Sequence, residues 1–153
     1  GGLAAASIIT GDRRRPLRSL GRTVLGGALI AGSANLVNLF DLRPGRALKV
    51  TLLAAPAACA ANPAGALAAT ATGVSAALLP EDLAERGMLG DTGANAAGAL
   101  LGSALVSRLG VRGQAAVLAA VVGLTLTSEK VSFTRVIEAT PVLRELDGLG
   151  RRR

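Results

Sequence analysis

Two polar clusters interrupt an otherwise apolar chain. The first is Asn35-Leu-Val-Asn38-Leu-Phe-Asp41, with two amides and a carboxylate at i, i+3 and i+6. On a helix, that spacing places all of them on one face near its end. The cations Arg43, Arg46 and Lys49 follow at once. The second cluster is Gly90-Asp91-Thr92-Gly93-Ala94-Asn95. Asp91 stands where a helix begins, so it reads either as a plain N-cap or as a ligand. Glycines on both sides would let backbone approach a phosphate or a metal closely. The chemistry open to these residues is that of phosphates and cations. Zero His removes any Ser-His-Asp or Cys-His nucleophile pair. A single Cys, with no His, removes a disulfide scaffold and the common zinc sites.

The elements that must position these groups follow from composition. The 153 residues are 50% hydrophobic and 18% charged, carry a formal charge of +7, and include two Phe but no Trp or Tyr. Mean hydropathy is +0.48. A chain this apolar is not intrinsically disordered. Its basic residues come in blocks: Arg13, Arg14, Arg15, Arg18 and Arg22, then Arg43, Arg46 and Lys49, then Arg151 to Arg153. Basic blocks alternating with uncharged runs are the pattern of membrane loops and spans. A nucleic-acid reader would spread its cations along one face, often beside stacking aromatics, so nucleic acid is not an expected partner.

The runs are rich in Ala and Leu, without strand-like alternation, and therefore read as helices. Gly11 to Arg22 reads as a basic loop, and Thr23 to Phe40 as 18 uncharged residues near one bilayer crossing. Asp41–Lys49 reads as a polar loop. Val50–Ala61 and Ala66–Leu79 form a hairpin around the Asn62-Pro63-Ala64-Gly65 turn. At about 1.5 Å per residue both arms fall short of a core of roughly 30 Å, which suits a re-entrant or enclosed hairpin. Pro80–Asp91 reads as a loop whose Glu81, Asp82 and Glu85 face solvent. Thr92–Ser107 and Gln114–Ser128 are the last apolar runs. Gly98 and Gly102, four apart, allow close helix contact. The expected architecture is all-α, a polytopic membrane helix bundle over residues 1–128. An amphipathic tail follows over 129–153, with Thr140 as N-cap and Pro141 at the first helical position. The tail either lies on anionic lipid or packs on a neighbouring helix. A hairpin that leaves and returns puts Asp41 and Asp91 on one side, where Mg²⁺ and a diphosphate could sit between them. That side carries 10 Lys/Arg against seven opposite, which favours a cytoplasmic site.

At these residues the sequence resembles the polyprenyl-phosphate N-acetylhexosamine-1-phosphate transferases, the phospho-MurNAc-pentapeptide transferase type. Asn35-Leu-Val-Asn38-Leu-Phe-Asp41 is similar to that family's Asn-x-x-Asn-Leu-x-Asp stretch, and Met88-Leu-Gly-Asp91-Thr-Gly to its Gly-Asp motif at a helix start. The resemblance covers the chain as a C-terminal half. It implies transfer of a sugar-1-phosphate from a UDP-amino sugar to a polyprenyl phosphate with Mg²⁺, in a bacterial cytoplasmic membrane. Asp91 would be the catalytic and metal-binding residue. Asn35, Asn38, Asp41, Arg43, Arg46 and Lys49 would shape the substrate side. A homodimer is left open.

The chain departs from the family pattern in having no Asp-Asp pair, no His-rich loop, and Pro44 where a second Asp of an Asp-Gly-x-Asp-Gly motif would fall. The expectation is that an aspartate pair precedes Gly1 in a longer parent enzyme. The alternative is a non-catalytic relative that binds lipid phosphate or scaffolds an envelope complex. A soluble Ala-rich helical domain with a basic surface is the third reading.

Overall fold

The computed structural model describes residues 2–10, 16–58 and 63–150. Arg13 to Arg15, Cys59, Asn62 and Arg151 to Arg153 lie outside the described residues. Among the described residues eight helices run in order: α1 (Gly2–Thr10), α2 (Pro16–Phe40), α3 (Arg46–Ala58), α4 (Pro63–Leu83), α5 (Gly90–Arg108), α6 (Val111–Lys130), α7 (Phe133–Ala139) and α8 (Pro141–Gly148). No strand occurs among the described residues. The all-α expectation holds.

The centre of the bundle is the crossing of α2 and α5. A Cβ on Gly98 would meet the Ser33 carbonyl oxygen and stand 2.7 Å from the Ala34 Cα. One on Gly102 would stand 2.8 Å from the Ile30 Cα. Only the missing side chains let the two backbones approach this closely. The Gly98/Gly102 pair therefore works inside the chain. Around the crossing, α1 and α6 pack on α2, and the α3–α4 hairpin packs on α5. Much of the core is alanine: Ala55, Ala58, Ala68, Ala71 and Ala104 are buried with Leu101. Small residues bring helices close where larger ones would hold them apart.

Several boundaries differ from the sequence reading. Helix α2 already starts at Pro16, so Pro16 to Arg22 is helix and not loop; proline is favoured at a first helical turn. Helix α4 continues through Pro80 to Leu83, and α6 begins at Val111. Lys130 ends α6 as expected. Helix α3 has 13 residues, about 20 Å at 1.5 Å per residue. It is too short to span a bilayer core of roughly 30 Å. Among the described residues two helices are long and apolar enough to cross a membrane, Leu20–Phe40 and Val111–Lys130. Only 11% of the apolar window in Val111–Lys130 is buried, and Val122, Leu124 and Leu126 point outward from it.

The tail folds as the expected helix pair, and it packs on the body. Phe40 and Phe133 are the chain's only aromatic residues. They stack with centroids 4.6 Å apart and planes at 14°. Pro141 does open α8. The Thr140 side chain, expected as a cap, makes no capping bond; its carbonyl accepts from Arg144 N–H at 2.9 Å.

Candidate functional site

The turn after α2 and the loop between α4 and α5 meet at one end of the bundle. Asp82 joins them. Its carboxylate accepts from Gly45 N–H at 2.6 Å and from Leu89 N–H at 3.1 Å. Only 6% of Asp82 is exposed. The reading of Asp82 as a solvent-facing loop residue is therefore wrong: a buried carboxylate is kept there because it ends two otherwise open backbone donors. Gly45 needs its glycine, since φ is +75° and a Cβ would run into Leu83. Glu81 and Glu85 are exposed as expected, and Glu81 pairs with Arg86 at 2.7 Å.

This staple holds the Asp41 turn beside the start of α5, so that the Asp91 charge reaches Asp41. Burial raises the Asp41 pKa above its ordinary 3.8, and the charges of Asp82 and Asp91 push the same way. A hydrogen bond from the Gly90 backbone opposes them. A carboxylate held partly out of water beside two others resists ionisation. Asp41, Arg43, Asp82 and Glu85 line a cavity of about 320 Å³. Asp91 does not cap α5; Leu89 occupies the cap position and Asp91 sits exposed in the first turn. Its charge there complements the positive end of the helix. Asn95 donates back to the Asp91 carbonyl at 2.7 Å.

The amides divide. Asn35 is exposed on α2. Asn38 is half-buried, and its Oδ1 is buried with no hydrogen-bond partner. The cations Arg43, Arg46 and Lys49 do gather, but around the tail. Arg43 pairs with Glu138 at 2.6 Å. Arg46 holds both Asp147 oxygens, at 2.7 and 3.0 Å, and donates to the Thr134 hydroxyl at 3.1 Å. Lys49 donates to the carbonyls of Leu146 and Asp147, at 3.1 and 2.6 Å. Thus Lys49 serves carbonyls at the end of α8 from a different helix.

Sequence reasoning missed Asp82, Glu138 and Asp147. The turn signal at Pro44-Gly45 marked a backbone that needs a partner, but nothing local identified Asp82 as that partner. Among the described residues no group of three or more His, Cys, Asp or Glu side chains could hold a metal ion. No family model, no curated protein and no solved structure matches the chain.

Proposed function

We propose that this is a membrane protein of the phospho-sugar transferase type. It would handle the phosphates of a UDP-amino sugar and a polyprenyl phosphate at the bundle end built from the α2–α3 turn and the α4–α5 loop. The observation that carries this reading is that Asp41 lines one cavity with Arg43, Asp82 and Glu85, close enough to Asp91 to feel its charge. A perturbed carboxylate in a cleft is a functional-site signature. Arg43 lines the same cavity, and Arg46 and Lys49 at the adjoining start of α3 would add further cations for phosphate oxygens once their tail partners give way. Phosphoryl transfer asks mainly for such positioning and charge stabilisation. The outward Val122, Leu124 and Leu126 of α6, with the apolar length of α2, support a membrane setting. A cytoplasmic face for the site, in a bacterial membrane, belongs to the same reading.

Membranes carrying the longer parent enzyme, given UDP-N-acetylglucosamine and undecaprenyl phosphate, are expected to release UMP. Asp91→Asn is expected to lower that release at least about a hundredfold, the scale of removing one group that stabilises transition-state charge. Release that Asp91→Asn leaves unchanged would rule out its role. A second reading, a non-catalytic relative that binds lipid phosphate, draws on two observations. The described residues lack a metal-holding group, and the cations hold the chain's own tail. It is the outcome if undecaprenyl phosphate binds but no UMP forms.

A further inference from the structure

The tail presents to Arg43, Arg46 and Lys49 the oxygens that a phosphate would present. The Asp147 carboxylate takes Arg46 in a two-pronged grip, the geometry in which guanidinium also binds phosphate. Glu138 supplies a carboxylate to Arg43, and two carbonyls at the negative end of α8 supply oxygens to Lys49. Arg46 is only 3% exposed and Asp147 only 10%, so the pair is shielded from water. The remaining tail contacts are looser. No residue of α7 or α8 is buried. An apolar cleft of about 330 Å³, lined by Val50, Leu53, Leu124, Ile137 and Leu143 among others, remains between tail and body. Charge pairs and one ring stack hold this segment, without an interdigitated core, so a competing anion has little packing to undo.

We propose that α7–α8 is an intramolecular anion seated on a phosphate-binding cation site formed by Arg43, Arg46 and Lys49. A ligand carrying a phosphate monoester binds by displacing it. This rests on reading those cations as the phosphate side of the site. A ligand can shift the tail only by binding the released state better, and removal of the tail's carboxylates removes that competition.

The full chain is placed in phosphatidylcholine nanodiscs with or without phosphatidic acid. Glycerol 3-phosphate is added to a parallel lipid-neutral sample. Hydrogen exchange is followed over residues 133–149 and over α5. Probe binding is expected to raise tail exchange about tenfold and leave α5 unchanged. The E138Q/D147N variant is expected to bind the probe about tenfold tighter, with its tail already exchanging fast. A response to phosphatidic acid alone assigns the phosphate to a lipid headgroup. A response to both probes assigns it to the phosphate group itself. Either supports the proposal. Equal binding by wild type and E138Q/D147N overturns the displacement while leaving the cation site standing. No binding by E138Q/D147N, with α5 still protected, overturns the cation site itself. If E138Q/D147N loses α5 protection, the charge swap R46D/D147R decides. It is expected to keep the tail protected and ignore both probes; probe-driven tail exchange in it overturns the proposal.

Discussion

The α2–α5 crossing and the seat of the tail join parts of the same chain by opposite means. At the crossing, glycines remove side chains until backbone meets backbone, and dispersion between close helices does the holding. At the tail, Arg43, Arg46 and Lys49 reach across to carboxylates and carbonyls, and apolar faces leave a cleft between them. The first joint leaves no room for added volume, and the second leaves room but depends on charge. The lesson is that a stable body and a displaceable segment need different interactions. An interface meant to stay shut is packed, and one meant to be exchanged with a charged ligand is paired.

The largest way to break this comparison lies in the crossing. Gly98→Leu is expected to destabilise by roughly 3 kcal/mol or more, because backbone atoms of Ser33 and Ala34 cannot move aside. A thermal unfolding curve in detergent matching wild type would refute the close approach. Next is Asp82→Ala, expected to cost about 2 kcal/mol by leaving the Gly45 and Leu89 N–H groups without their acceptor. The loss should appear as faster exchange at Gly45 and Leu89; protection there equal to wild type would count against the staple. Smaller again is Phe133→Leu, about 1 kcal/mol for the ring pair. It should loosen residues 133–149 and leave α5 exchange as it was. Loosening of both would mean that tail and body unfold as one unit.

The smallest effect is the pH response of Asp41. Its pKa is raised in the fold, so above 3.8 the folded chain keeps a proton that the unfolded chain has released. Stability therefore falls as pH rises from about 3.8 through the raised value, and levels off above it. Asp41→Asn removes the charge and can still accept from Gly90. It is expected to melt higher than wild type at pH 7, with the gap closing as pH drops below the ordinary carboxylate range. A variant that melts lower at neutral pH would mean that Asp41 gains more from its hydrogen bond than it loses by burial.

Helices and their small-residue contact were legible because they depend on neighbours in sequence. Apolar runs, the spacing of Gly98 and Gly102, and Pro141 at a helix start are local patterns. The meeting of Asp41 and Asp91 was legible too, since a returning hairpin forces it whatever the hairpin's depth. Asp82 was not. On paper it is one acid in a charged stretch, and only the backbone donors brought to it make burial affordable. Arg46 was read as a cation of the phosphate side, and in the fold it holds a carboxylate of the chain itself. Its partner, Asp147, lies 101 residues away, and no spacing rule reaches that far.

Composition and periodicity alone thus determined an all-helical chain and its apolar stretches. The tertiary structure decided which oxygens the cations hold, which acid is buried, and that the chain's only two aromatic rings stack on each other. The physical reason is range. Hydrogen-bonded helices are set by residues within a turn or two, whereas charge pairing and burial depend on which distant elements the fold brings within a few ångströms.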